Sequence, residues 1–163
     1  MVKCHSATPA VAAKGSFQFM STSDRLARYA QLLNAHPSLA SYGVQLTFPD
    51  AQRLRIEVAE VPASMRGGMG DDAVVNGGVL SALCDLMIGS TAGLVDPDTR
   101  SATVQLSIRF ERPLRGSRIV GEARVDHSTG RTLFSSGELS DDQGRVCVRC
   151  QGLATLLRPS AGA

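Results

Sequence analysis

The alternation of apolar and polar residues divides the chain into one long apolar stretch and several segments with a period of two. Within residues 76–95, apolar side chains point in most directions around a helix, and Asp85 is the only ionisable carboxylate. This pattern predicts a helix of about 30 Å, at 1.5 Å per residue, that is buried on nearly all sides. The polar and glycine residues inside it argue against a membrane span.

Segments with alternating apolar residues lie on both sides of this helix. Residues 42–48 and 53–58 predict an antiparallel hairpin, and residues 101–112, 118–125, 131–140 and 145–157 predict four further strands. In residues 101–112 the apolar positions are expected to share one face and Thr103 to lie on the other; these positions are Ala102, Val104, Leu106, Ile108 and Phe110. A short helix capped by Ser23 or Asp24 should run to His36 and end before Pro37.

The order of elements predicts one α+β domain. A helix, two strands, a long apolar helix and four strands favour an antiparallel sheet of about five to six strands wrapped around the central helix. A length of 163 residues suits a single domain. We expect residues 1–21 to be a disordered leader, because they lack acidic residues and a signal-peptide core. Residues 22–158 form the domain and residues 159–163 a loose tail.

Composition excludes several function classes. A net charge of +2, 4% aromatic residues and no tryptophan give no indication of nucleic-acid binding. Cys147 and Cys150 match a C-x-x-C spacing, but they fall in a predicted strand, where residues three apart point to opposite faces. Redox and zinc motifs need other surroundings, so we expect no metal and reduced thiols in a cytoplasmic protein.

Asp85 is the residue that the central helix does not explain. It lies too far inside the helix to be an N-cap. Its neighbours on the same face are small or polar: Gly78, Ser81, Ala82, Gly89 and Ala92. One interpretation is a structural aspartate that accepts hydrogen bonds from the backbone or from Ser81. The other is a catalytic carboxylate beside open volume, and both stay open at this point.

Several motifs in this order resemble the hotdog-fold acyl-CoA thioesterases, in particular the phenylacetic-acid-pathway (PaaI-like) subgroup. They are Asn76-Gly77-Gly78 at the helix start with an acid nine residues after the asparagine, Phe110-Glu-Arg-Pro113, and Gly130-Arg131-Thr132. The resemblance covers about residues 42–157 and implies a hotdog domain. Two positions differ: Asn76 replaces the usual histidine, and Gly70 stands where the family often has asparagine.

The resemblance also implies roles for individual residues. Asp85 would act as general base or nucleophile, and Thr103 aligns with a serine or threonine of the family. Two segments would contact coenzyme A, and the residues concerned are Phe110, Arg112, Arg115, Gly130, Arg131 and Thr132. Coenzyme A would be part of the substrate, with no further cofactor. The family implies a homodimer, and many relatives form a dimer of dimers.

Geometry leads to the same dimer from the residues alone. The backbone N–H groups of Gly77 and Gly78 at the helix start are suitable donors for an oxyanion. Gly78 and Asp85 lie about 10 Å apart along one helix, so they cannot touch the same carbonyl. We therefore expect an obligate dimer with two shared sites. Asn76 either donates its side-chain amide to the carbonyl or caps the helix.

Three functions compete on these residues. The first is hydrolysis of an acyl-CoA thioester. The second is a non-hydrolytic acyl-CoA or acyl-carrier binding protein, favoured by Asn76, although Asp85 argues for chemistry. The third is a dehydratase or hydratase, which would need a catalytic histidine, and no histidine lies near the central helix. The acyl group does not follow from the sequence.

Overall fold

The structure, a computed structural model of the chain, describes residues 20–68 and 70–157. The helices are α1 (Thr22–Asn34), α2 (Pro37–Ser41) and α3 (Gly77–Ser90), and the strands are β1 (Val44–Asp50), β2 (Arg53–Val58), β3 (Arg66–Gly68), β4 (Asp71–Val75), β5 (Arg100–Phe110), β6 (Ile119–Thr129), β7 (Thr132–Ser140) and β8 (Val146–Leu157). The short 3-10 helix Ala63–Met65 precedes β3, and another, Thr91–Leu94, prolongs α3. The predicted tail and all but the last two residues of the predicted leader lie outside the described residues.

A six-stranded antiparallel sheet holds the central helix. Its strand order is β1-β2-β6-β7-β8-β5, and β3 and β4 form a separate two-stranded sheet. The long apolar side chains of α3 pack against the sheet, and the buried ones are Leu80, Leu83, Cys84, Met87 and Ile88. The prediction of an α+β fold with one long central helix is confirmed. By composition the stretch Gly77–Leu94 is apolar enough to cross a membrane, but half of it is buried inside the domain.

Two glycines of the sheet let α3 approach closely. A Cβ atom on Gly121 would lie 2.5 Å from Sδ of Met87, and one on Gly152 would lie 2.8 Å from Cγ2 of Ile88. Since real Cβ atoms do not approach so near, a larger side chain at either position would force these side chains to shift, and at Gly152 it would also meet the carbonyl oxygen of Gln105 at 2.6 Å. These glycines therefore allow the close packing of α3 on the strands.

Several local predictions differ from the structure. The N-cap of α1 is Ser21, whose side chain accepts from the N–H of Asp24 in a capping box. Pro37 begins α2, where the missing N–H costs nothing. The glycine-rich segment before α3, for which no strand was predicted, contains the β3–β4 hairpin, and β6 continues beyond its predicted end at residue 125 to Thr129.

The two edges of the large sheet differ. The side chain of Asn34 donates to the carbonyl of Leu46 at 2.9 Å and accepts from its N–H at 2.8 Å, so α1 covers the edge of β1. At the other edge, β5 pairs only with β8 within the described part of the chain. A long edge strand left open in this way is available for pairing with another chain.

The cysteine thiols in the described residues are free and buried. Cys84 of α3 and Cys150 of β8 share a hydrogen bond, which together with burial raises the pKa of the Cys84 thiol. Cys147 is also buried, so the C-x-x-C pair is not divided between an exposed and a buried face. Among residues 20–68 and 70–157, no cluster of three histidine, cysteine or acidic residues is placed to hold a metal ion.

Candidate active site

The N-terminus of α3 is capped by Asn76. Its side-chain oxygen accepts a hydrogen bond of 2.8 Å from the N–H of Gly78, while its backbone N–H donates to the carbonyl of Met65 at 2.8 Å. The N–H of Gly77 has no acceptor within the described residues. Of the two predicted oxyanion donors, Gly77 is therefore the one with a free N–H. The NH₂ group of Asn76 stays available, since the cap uses only the oxygen.

An aromatic ring lies beside this free amide. A Cβ atom on Gly77 would lie 3.8 Å from the ring of Phe110, which is 53% exposed. Phe110 is the last residue of β5, so this strand ends next to the start of α3. We call Asn76, Gly77 and Phe110 the donor end of the site. It combines an open hydrogen-bond donor, the positive end of a helix dipole and an apolar wall.

Asp85 is exposed in the single chain, contrary to the expectation of a buried carboxylate. It forms no hydrogen bond or ion pair with the described residues. Ser81, the expected structural partner, donates instead to the carbonyl of Gly77 at 2.8 Å. The stripe of small residues predicted to flank Asp85 is partly open: Gly78 is exposed, Ser81, Ala82 and Gly89 are half-buried, and Ala92, in the following 3-10 helix, is buried. The helix is therefore buried on its apolar sides and open along the stripe that carries the acid.

Thr103 faces this stripe because β5 contains a bulge. The β5–β8 register shifts between Thr103 and Gln105, which leaves Val104 unpaired and 67% exposed. Before the bulge Thr103 points toward α3, and after it Leu106 and Ile108 do so. The prediction that Val104 shares a face with Leu106 was therefore wrong.

The hydroxyl of Thr103 lies one helical turn beyond Asp85. A Cβ atom on Gly89 would be 3.2 Å from that hydroxyl oxygen. The neighbouring Ser101 donates its hydroxyl to the carbonyl of Gly89 at 2.8 Å, which fixes β5 against the helix. We call Asp85 and Thr103 the carboxylate end of the site. It offers a free carboxylate and a hydroxyl on the same open face.

The donor end and the carboxylate end are far apart within one chain. Gly77 and Asp85 are separated by about 12 Å along the axis of α3. The strand runs antiparallel to the helix, so Phe110 lies beside Gly77 and Thr103 beside Gly89. The donor end therefore lies at the start of α3 and the end of β5, and the carboxylate end lies toward the other extremity of both elements. No single carbonyl can contact both ends of one chain.

The segments predicted to contact coenzyme A are separated in the same way. Arg112 and Arg115 are exposed in the loop that follows Phe110. Gly130, with a φ of 53°, and Arg131 form the turn between β6 and β7. Thr132, which follows them, pairs with Thr155, and Thr155 pairs with Ala102 near the start of β5. This turn therefore lies at the carboxylate end, about 25 Å from Phe110 along the strand.

Two features of this region were not found from the sequence. The bulge at Val104 leaves no trace in the alternation of residues 101–112. Arg66, in a segment for which no strand was predicted, donates hydrogen bonds to three backbone carbonyls behind the donor end. Its proximity to a glycine-rich turn was the only available signal.

Residues 72–148 match the profile of the thioesterase superfamily, and no curated protein matches the sequence. The fold is similar to that of the E. coli PaaI protein from the phenylacetic acid degradation operon, with a TM-score of 0.72 and 18% identity over 85% of this chain and 97% of that one.

Two further solved structures share the fold over nearly their whole length. A conserved protein from Pseudomonas aeruginosa has a TM-score of 0.68 and 21% identity, covering 78% of this chain and 99% of that one. A thioesterase from Haemophilus influenzae has a TM-score of 0.71 and 11% identity, covering 84% of this chain and 94% of that one. Residues 72–148 are therefore similar to the thioesterase superfamily, and the chain has the hotdog fold that these solved structures share.

Proposed function

We propose that the protein hydrolyses acyl-CoA thioesters at two equivalent sites, each shared between two copies of the chain. The observation that carries this proposal is the opposite placement of the donor end and the carboxylate end along both α3 and β5. If two β5 edges pair antiparallel about a two-fold axis, the start of each strand lies beside the end of its partner. The donor end of one chain then faces the carboxylate end of the other.

The open edge of β5 supports this mode of association. At the opposite edge the side chain of Asn34 pairs with the backbone of Leu46 in β1, whereas β5 pairs only with β8 within the described residues and leaves its other edge open. The exposed stripe of α3 would meet its counterpart across the same axis and bury Asp85 between the chains. A dimer of dimers remains a prediction of the family resemblance.

In the proposed reaction the two ends act on one thioester carbonyl. The N–H of Gly77 and the side-chain NH₂ of Asn76 donate to the carbonyl oxygen, whose negative charge grows as the tetrahedral intermediate forms. Asp85 of the partner takes a proton from water, and the resulting hydroxide attacks the carbonyl carbon. The C–S bond then breaks, and the leaving coenzyme A thiolate takes the proton from Asp85, which releases the free thiol and restores the carboxylate. Thr103 holds the water or orients the carboxylate.

A second route uses Asp85 as the nucleophile. Its carboxylate attacks the carbonyl, coenzyme A leaves, and water hydrolyses the mixed anhydride. A single turnover in H₂¹⁸O identifies this second route if water attacks the aspartyl carbon of the anhydride. The base mechanism places ¹⁸O in the first acid released, whereas attack by water on the aspartyl carbon of the anhydride would leave that acid unlabelled and label Asp85.

The coenzyme A moiety would extend over residues of both chains. Phe110 lies beside the reacting carbonyl, and the exposed guanidinium groups of Arg112 and Arg115 suit phosphate groups. The partner's turn with Gly130, Arg131 and Thr132 would approach from the other side. No cofactor beyond the coenzyme A of the substrate enters this proposal.

Free-thiol release from a panel of acyl-CoAs tests the proposal. The panel spans acetyl, medium-chain, long-chain and phenylacetyl groups, and the variant is Asp85→Asn. Because Asp85 has no hydrogen-bond or ion-pair partner among the described residues, the variant should keep the fold. We expect a fall in kcat/KM of about a hundredfold or more, which is about 2.7 kcal/mol of transition-state stabilisation. Glu60→Gln, at an exposed carboxylate on the loop after β2, is the matched control. Equal activity in wild type and Asp85→Asn would contradict the proposal.

The binding-protein alternative rests on Asn76 in place of the usual histidine. It predicts that wild type and Asp85→Asn bind acyl-CoA equally well and that neither releases thiol. The same panel, read by calorimetry as well as by thiol release, decides between the two functions.

A further inference from the structure

Arg66 connects three segments that meet behind the N-terminus of α3. Its guanidinium donates to the carbonyl of Gly116 at 2.8 Å, to that of Val61 at 3.3 Å and to that of Ala73 at 3.2 Å. Gly116 lies in the loop after β5, Val61 in the segment before β3, and Ala73 in β4. The planar guanidinium has donors in a fixed fork, so its three hydrogen bonds constrain all three segments together.

Backbone hydrogen bonds tie the same segments to the start of α3. The N–H of Val75 donates to the carbonyl of Leu114 at 3.0 Å, and the N–H of Asn76 donates to the carbonyl of Met65 at 2.8 Å. Leu114 is fully buried and anchors the loop that carries Arg112 and Arg115. Val75 and Asn76, which lead into the helix, are therefore held by this loop on one side and by Met65, the residue before Arg66, on the other.

We propose that Arg66 is a positioning residue of the thioesterase site. It sets the loop of Arg112 and Arg115 at a fixed place relative to the N–H of Gly77, so that the phosphates of coenzyme A and the thioester carbonyl are engaged together. This inference rests on the proposed function. A lysine has a single ammonium group at this position and cannot reach three carbonyls with the same geometry.

The test compares two thioesters of the same acyl group, one of coenzyme A and one of pantetheine, which lacks the nucleotide phosphates. The quantity measured is kcat/KM for the coenzyme A thioester divided by kcat/KM for the pantetheine thioester, in wild type, Arg66→Met and Arg66→Lys. This ratio does not depend on how much protein is folded. We expect this ratio to fall by about tenfold in Arg66→Met, because a displaced loop no longer holds Arg112 and Arg115 against the phosphates of the nucleotide. Arg66→Lys should lie between the two.

Asn34→Ala is the control for lost stability. It removes two hydrogen bonds at the remote β1 edge, so it should lower Tm while leaving the ratio unchanged. An unchanged ratio in Arg66→Met, or the same fall in Asn34→Ala, would overturn the proposal.

Dissociation constants for coenzyme A and pantetheine separate this inference from the proposed hydrolysis. If wild type releases no thiol but Arg66→Met loses its preference for coenzyme A in binding, hydrolysis fails and the role of Arg66 stands. If wild type binds the two compounds equally, the role of Arg66 is refuted as well.

Discussion

Replacing Gly77 by proline should remove the proposed oxyanion donor with almost no other change. Gly77 is the first residue of α3, where proline is well tolerated. Its N–H donates to no described residue, so no hydrogen bond is lost. Asn76 has a ψ of 134°, the extended conformation that a following proline requires. The nearest side chain to a new Cβ atom is Phe110, at 3.8 Å, so the ring has room.

The expected consequence is a loss of catalysis without a loss of fold. Removal of one oxyanion donor typically costs about 10²–10³ in kcat, or about 2.7–4 kcal/mol. Thiol release under saturating acyl-CoA measures kcat, and thermal unfolding measures Tm, which should stay close to wild type. Gly77→Ala, which keeps the N–H, is the matched control and should retain most of the activity. Wild-type kcat in Gly77→Pro, or an equal loss in both variants, would refute the role of this amide.

Four further variants, at three positions, examine the surroundings of the site and the fold. Asn76→Ala removes the cap acceptor and should lower the free energy of unfolding by about 1 kcal/mol, which is measured as a lower Tm. Asn76→Asp keeps the cap acceptor and should keep the Tm. Because it loses the NH₂ donor, only its kcat should fall. Gly89→Ala, whose Cβ would lie 3.2 Å from the Thr103 hydroxyl, should displace that hydroxyl and lower kcat, with Tm equal to or above wild type because alanine favours a helix interior. Burial alone would raise the pKa of Asp141, but hydrogen bonds from the backbone N–H and the guanidinium of Arg145 outweigh it and hold the pKa below its ordinary value. The ionised Asp141 therefore stabilises the fold at neutral pH, and this stabilisation is lost in acid. The Tm difference between wild type and Asp141→Asn should shrink as the pH falls below about 4. A difference that stays constant with pH would contradict this.

Much of the fold could be predicted because its elements depend on local patterns. The apolar run of α3 and the alternation in β1, β2 and the last four strands give the element order, and this order alone favours a sheet around one helix. The stripe of small residues around Asp85 was also readable, since helical spacing places these residues on one face. These features need no knowledge of distant contacts.

The rest depends on contacts that a linear pattern does not contain. One unpaired residue at Val104 reverses the faces of β5 and turns Thr103 toward the helix, although the alternation of the sequence continues without a break. The β3–β4 hairpin uses glycines with positive φ at positions 67 and 70, which also suit an irregular loop. Asp85 was expected to be buried because apolar residues point in most directions around the helix, yet in a single chain the small residues beside it leave the carboxylate exposed.

The central claim is that each site takes Asp85 from one chain and the Gly77 amide from the other. Mixing Asp85→Asn with Gly77→Pro after unfolding and refolding together tests it directly. Random pairing makes half of the dimers mixed, and each mixed dimer contains one site with both defects and one site with neither. We expect thiol release to recover to about a quarter of the wild-type rate, far above either variant alone. Activity no greater than the average of the two separate variants would contradict a shared site.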